Sequence, residues 1–385
     1  MSVLNVPKPA WMSEDLELLQ DSARKFFERE CVPHYERWEA QGSVGREAWL
    51  KAGEAGLLCA AVPEAYGGAG GTFAHDAIIA REANFAGVSG FGIGLHNAIV
   101  VPYVLNYGSE EQKRAFLPKL ATGEYIGAIA MTEPSGGSDL QAVKTVARRQ
   151  GNHFVIKGAK TFITNGQLAN FIIVVAKTDP TQGAKGISLF AVETDGLDGF
   201  RRGRNLDKIG LKANDTSELF FDEVRVKASA LIGPEDGKGF YQLMDQLPQE
   251  RLLIALYAMG RIERALAVTI DFVKNRTAFG QRIIDFQNTQ FELAECKTEA
   301  TIAKVFVDSL VGRHLDKELD TATASMAKYW LTDLQCKIID RCLQLHGGYG
   351  YMNEYPIARM FRDARVERIY GGTNEIMKVL IARTL

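Results

Sequence analysis

Nowhere in its 385 residues does this chain hold the roughly 20 consecutive apolar residues that a membrane-spanning helix needs, so no membrane span is expected. Cysteine is scarce. Cys31, Cys59, Cys296, Cys336 and Cys342 are scattered, odd in number and never spaced CxxC, which gives no disulfide framework and no zinc site and fits a reducing compartment. There is no dense basic run, and a formal net charge of -2 leaves no electrostatic footprint for nucleic acid. The glycine clusters at Gly67 to Gly71 and at Gly87 to Gly94 follow no clear strand and form no GxGxxG, so any dinucleotide here is held by something other than a Rossmann turn. The first fourteen residues lack a cationic start followed by an apolar stretch, against a secretory signal. A cytoplasmic location is expected; a mature mitochondrial matrix protein, its transit peptide removed, would look the same.

With 46% hydrophobic, 24% charged and 9% aromatic residues, the chain has the composition of an ordinary globular protein. Its length allows two or three domains at about 150 residues each. Residues 1–129 read as a helical domain: Leu16, Leu19, Ala23, Phe26 and Phe27 share one face behind a Ser13 cap, and a second helix runs near Gln112 to Leu120. Residues 130–236 read as a compact β domain, with runs at Phe154 to Ile156, Phe171 to Val175, Ile187 to Val192 and Leu219 to Phe221 between turn signals. Residues 237–385 return to helical period, with long helices expected over Arg251 to Arg276, Gln287 to Leu315 and Asp320 to His346, the last stopped by Gly347-Gly348. The fold class is therefore α+β, ending in a helical bundle.

Four stretches stand out, and each has a plain structural reading. Ala130 to Ala142, AMTEPSGGSDLQA, is a good turn sequence. In Thr161 to Gly166, Phe162 and Ile163 alone suggest strand core and Asn165-Gly166 a turn. Arg276, in Asn275 to Gly280, is a favourable dipole partner at a helix C-terminus, and Glu250, just after Pro248, is an ordinary acid for a first helical turn.

Taken with Gln344 to Glu375, QLHGGYGYMNEYPIARMFRDARVERIYGGTNE, these stretches resemble the flavin-dependent acyl-CoA dehydrogenases over essentially the whole chain. The similarity is greatest to the long-chain members, at LPQERLLIA, TATASMAKYW and IYGGTNEIMK. The resemblance implies an N-terminal helical domain, a β-barrel-like middle domain and a C-terminal four-helix bundle, assembled as a homotetramer. It implies FAD, held by Met131, Thr132 and Ser138 of the first loop, by Phe162, Ile163 and Thr164, by Arg276, Phe279 and Gln287, and from a neighbouring subunit by Gln344, Gly348, Thr373 and Glu375. Ser138, Tyr241, Pro248, Arg251, Gly371 and Gly372 would line the acyl-CoA site. Electrons would leave to an electron-transfer flavoprotein. Ser135 and Gly136 replace the commoner Gly-Ala pair of the flavin loop and keep it small.

The commonest form of the C-terminal motif reads Ile-Tyr-Glu-Gly-Thr, and its Glu removes the substrate α-proton. Here that position is Gly371. In the long-chain and isovaleryl members, which share the loss, the base sits at the helix position occupied here by Glu250. The expected reaction is α,β-dehydrogenation of a long-chain acyl-CoA to the trans-2-enoyl-CoA with Glu250 as base. A branched-chain (isovaleryl- or citronellyl-type) substrate and a catalytically silent acyl-CoA or flavin binder are the alternatives. At Glu250 a helix N-terminus would favour the carboxylate and an apolar pocket would raise its pKa, with desolvation expected to win. Arg251 is expected to face the CoA side or a structural acid.

Overall fold

The computed structural model describes residues 3–385; Met1 and Ser2, which open the stretch read for a leader, lie outside it. The first domain packs α1 (Glu14–Phe26), α2 (Tyr35–Gln41), α3 (Arg46–Glu54) and α4 (Phe73–Ala86) with α5 (Ile93–Leu95), α6 (Val101–Tyr107) and α7 (Glu110–Thr122). Ser13 caps α1 by accepting from the Leu16 N–H, as its sequence predicts. A π-helical turn, His96–Val100, joins α5 to α6. The core between these helices is aromatic, with Trp49 edge-on to Phe91 at 4.8 Å.

The middle domain holds β1 (Gly127–Ala130), β2 (Val146–Gln150), β3 (His153–Thr164), β4 (Phe171–Lys177), β5 (Ile187–Glu193), β6 (Phe200–Asn205) and β7 (Thr216–Lys227). β4 lies between β1, its parallel partner, and β5, while β2, β3, β7 and β6 form an antiparallel run. The two halves meet at one corner, where Val146 pairs with Lys177. Phe154 of β3 packs on Phe190 of β5 at 4.9 Å, so the halves face each other across a shared core, the barrel-like arrangement expected.

In the third domain, α8 (Gly239–Asn275), a short hairpin of β8 (Thr277–Ala278) and β9 (Gln281–Arg282), α9 (Gln287–Leu315) and α10 (Thr321–Leu345) precede α11 (Pro356–Ala364) and α12 (Asn374–Ala382). Of the two short helices that follow, α11 packs against α8 and α10, and α12 against α10. A single core joins α8, α9 and α10 to Phe73, Ala77 and Ala80 of α4, so the base of the first domain is built into the bundle. Pro248 lies inside α8, not at its start. The helix begins at Gly239, nine residues before the proline that was expected to open it.

Candidate active site

Glu250 is therefore well within α8, and the helix N-terminus expected to stabilise its carboxylate is not beside it. The residue is 5% exposed, on a stretch of α8 where Gln246, Leu252 and Leu253 are buried too. Tyr103 of α6 donates its hydroxyl to Glu250 Oε1 at 2.8 Å. Burial pushes the carboxyl up to about 7, against the Tyr103 hydrogen bond and the Arg251 charge, which pull it down. Arg251 is also buried but pairs with no acid, contrary to the structural-acid reading; Nη1 reaches Ser325 Oγ at 3.3 Å and Nε has no partner among the described residues. A carboxylate poised near neutrality beside a buried guanidinium that forms no ion pair among the described residues can take up a proton and meet an electron-rich group.

The C-terminal block lies against the same stretch of α8. A Cβ added to Gly371, whose φ is +65°, would overlap Ile254 Cδ1, with Ile254 Cγ1 next at 3.7 Å. Ile254 is four residues after Glu250 and so shares its helix face. This puts Gly371, where the resemblance looks for a base, one helical turn along α8 from Glu250. The Gly371 N–H takes part in none of the backbone hydrogen bonds among the described residues. Lys328 of α10, fully buried, fastens the block by donating Nζ to the Gly372 carbonyl at 2.7 Å and Asn374 Oδ1 at 2.9 Å. Thr373 caps α12, which occupies its hydroxyl, and Glu375 is exposed in the first turn.

Across the middle domain, the Thr161 N–H bonds the Thr132 carbonyl at 2.9 Å, joining the two loops expected to hold a flavin. Beneath them Lys160, buried on β3, donates to the Met131 carbonyl at 3.1 Å and to Glu133 Oε1 at 2.9 Å. β3 breaks register with β7 between Lys160 and Ile163. That bulge gives Phe162 a φ of +59° and turns its ring out, 67% exposed, while Ile163 points into the core. Ile163 can thus offer only its backbone. Thr164 is half-buried, and Ser138 is exposed on the first loop.

The remaining cofactor candidates gather elsewhere. Arg276, Gly347, Gly348, His346, Tyr349 and Phe272 line a cavity of about 470 Å³ at the end of α10. Arg276 and Gly348 thus line the same cavity of the protomer. Arg276 lies 5.2 Å over the Tyr349 ring with no acidic partner among the described residues. A Cβ on Gly347 or Gly348 would meet nothing within 4 Å, so the protomer does not itself use the space beside them. Phe279 is 97% exposed at a φ of +52°, and Gln287 and Gln344 are exposed. Tyr241, in the first turn of α8, is half exposed, and Pro248 is partly buried.

An outward aromatic on a strained bulge suits the face of a flat ring, and, elsewhere on the chain, a guanidinium with no acidic partner among the described residues beside the open space at two glycines suits a pyrophosphate. Comparison with known proteins agrees. The profiles described as the acyl-CoA dehydrogenase N-terminal, middle and C-terminal domains match residues 13–124, 128–224 and 237–385. The chain belongs to the acyl-CoA dehydrogenase family. It is 52% identical over 375 residues to the mitochondrial long-chain specific acyl-CoA dehydrogenase of Sus scrofa, covering 97% of this chain and 87% of that one. The crystal structure of an acyl-CoA dehydrogenase from Geobacillus kaustophilus superposes with a TM-score of 0.95 at 48% identity, over 98% of this chain and 99% of that one. A glutaryl-CoA dehydrogenase from Mycobacterium smegmatis, solved in complex with FADH2, gives 0.90 at 30% identity, over 97% and 94%. With the family comes its cofactor, FAD, and its class, the oxidoreductases.

Sequence reasoning missed Tyr103, Lys160, Ile254 and Lys328. One of them was within reach: Phe154 and Ile156 face inward, and the period of two carries that face to Lys160. The other three matter through contacts that only the folded chain creates.

Proposed function

We propose that this protein oxidises long-chain acyl-CoA thioesters to trans-2-enoyl-CoA, with Glu250 as the base that removes the α-proton. The observation that carries the assignment is the juxtaposition of Gly371 with the turn of α8 that follows Glu250, a buried carboxyl poised near neutral pH. FAD, when bound, supplies the acceptor for the β-hydride. Everything else is the protein's own work. Glu250 Oε2, which makes no hydrogen bond among the described residues, is the oxygen free to take the proton. Its pKa near 7 leaves a useful fraction ionised and still basic at neutral pH. The Gly371 N–H, without a backbone partner, suits polarisation of the thioester carbonyl, and the Lys328 bonds to Gly372 and Asn374 hold that segment still. Phe162, turned outward, would cover the ring, and Arg276, with no acidic partner among the described residues, would meet the pyrophosphate.

The long-chain preference is supported by the Sus scrofa enzyme. We take the electron acceptor to be an electron-transfer flavoprotein. A homotetramer is favoured by exposed apolar side chains on α9, Phe291, Ile302 and Val305. Five unpaired cysteines suit a reducing compartment, the cytoplasm or the mitochondrial matrix. No helix among the described residues is long and apolar enough to cross a membrane.

Anaerobic bleaching of the FAD-loaded protein by a series of straight and branched acyl-CoAs tests this. Wild type should bleach fastest with long straight chains, and Glu250→Gln should slow bleaching by about 10³-fold. Equal rates for the two proteins would remove Glu250 as base, and fastest bleaching by isovaleryl-CoA would make the substrate branched.

A further inference from the structure

A carboxylate carried on a helix reaches its target through three side-chain torsions, and a base that wanders loses the benefit of orientation. Glu250 has one hydrogen-bond partner among the described residues, and it comes from another domain. Tyr103 lies 147 residues away on α6, fully buried, its hydroxyl 2.8 Å from Oε1. The phenol is fixed in turn: its ring packs beside Tyr107 at 6.3 Å, and Tyr107 is itself bonded to Asp245 and, at 2.9 Å, to Gln246 Nε2. Both partners lie on α8, so α6 and α8 are tied about one turn before the base as well as at it. The contact is asymmetric, occupying one carboxylate oxygen and leaving the other open.

We infer that Tyr103 is the positioning residue of the base: by pinning Oε1 it aims Oε2 at the substrate α-carbon and so brings the N-terminal domain into the chemistry of the C-terminal one. This rests on the assignment of Glu250. No covalent step is asked of the phenol. Burial and the neighbouring Glu250 charge hold its own pKa well above the usual range, so it remains a donor throughout. The charged and titratable groups around the pair are Arg251, turned to Ser325, and, behind Tyr103, Tyr107 with Asp245. None of them replaces the hydroxyl at Oε1.

The test uses Tyr103→Phe in the FAD-loaded enzyme, a change that removes the hydroxyl and keeps the ring. Anaerobic flavin bleaching and kcat should fall about 10- to 100-fold with KM within about twofold. The acid limb of the kcat/KM profile should move to higher pH, because the lost donor favoured the carboxylate. A profile and bleaching rate that overlay those of wild type would overturn the inference. A cycle with Glu250→Gln guards against a general loss of structure. Tyr103→Phe should cost nothing further once Glu250 is Gln; an equal loss in both backgrounds means that Tyr103 acts elsewhere. Wild-type bleaching by Glu250→Gln alone would sink the base assignment itself, whereas a silent Glu250→Gln beside a fully active Tyr103→Phe sinks only the positioning role.

Discussion

Two buried glutamates, Glu133 in the loop after β1 and Glu250 on α8, have the same 5% exposure and opposite acid–base behaviour. Burial pushes both upward, yet Glu133 ends below the ordinary carboxylate range because the Lys160 charge and the Lys144 and Thr145 N–H groups, at 2.7 and 2.9 Å, outweigh it. Glu250 has one phenol and a neighbouring guanidinium and ends near 7. Burial alone does not make a base; burial with too few donors does. Glu133 serves as a structural post for the loop that offers Met131 and Thr132, and Glu250 is left able to exchange a proton.

Removing a partner should accordingly hurt the first site far more than the second. Lys160→Met would leave Glu133 buried without its cation and free the Met131 carbonyl, at a cost of about 3 to 5 kcal/mol. We expect a lower melting temperature and loss of yellow colour on gel filtration. Retention of stoichiometric FAD with an unchanged melt would show that the ion pair does not brace the loop.

The second site should respond in the other direction. The Glu250 carboxyl titrates near 7 in the fold and near 4.5 unfolded, so between those values the unfolded chain releases its proton first and stability falls as pH rises. Above pH 7 the accumulated cost is about 3 kcal/mol. Glu250→Gln, which abolishes the charge and can still accept from Tyr103, should melt above wild type at pH 8 and come level with it only near pH 4, below the unfolded value. A gap of the same size at both pH values, or none at pH 8, would mean that the carboxyl is not desolvated as the fold shows.

The difference between the two glutamates was only partly legible in the sequence. Ser13, the four β runs and the three long helices announced themselves through caps, period and turn residues. α4 did not, because it is buried on nearly all sides and carries no amphipathic stripe. The start of α8 was misplaced because proline ordinarily opens or breaks a helix, and here packing against α4 and α10 carries it through. Phe162 was legible as an aromatic near a turn, but the bulge that rotates it outward depends on pairing with β7, more than fifty residues later. Tyr103, the donor to Glu250, was invisible for the same reason, whereas Lys160, a donor to Glu133, lay on the readable inward face of β3.

The smallest expected effect bears on why the base stands on α8 at all. The resemblance implies that carboxylates from position 371 and position 250 approach the same α-carbon, which suggests Glu250→Gly with Gly371→Glu as a transplant. Here Ile254 Cδ1 fills the space that a side chain at 371 would enter, and the φ of +65° adds strain for any residue but glycine. The double variant should therefore remain close to the Glu250→Gly background. Ile254→Val removes the obstructing methyl while the next atom, Cγ1, stands clear at 3.7 Å. Added to the pair, it should raise bleaching about tenfold over the double variant, or roughly 1.4 kcal/mol of barrier. If the double variant already recovers that activity, Ile254 yields without substitution; if the triple variant folds, keeps FAD and gains nothing, the two placements do not address one carbon. Either result would separate the location of the base from the packing that now reserves it for α8.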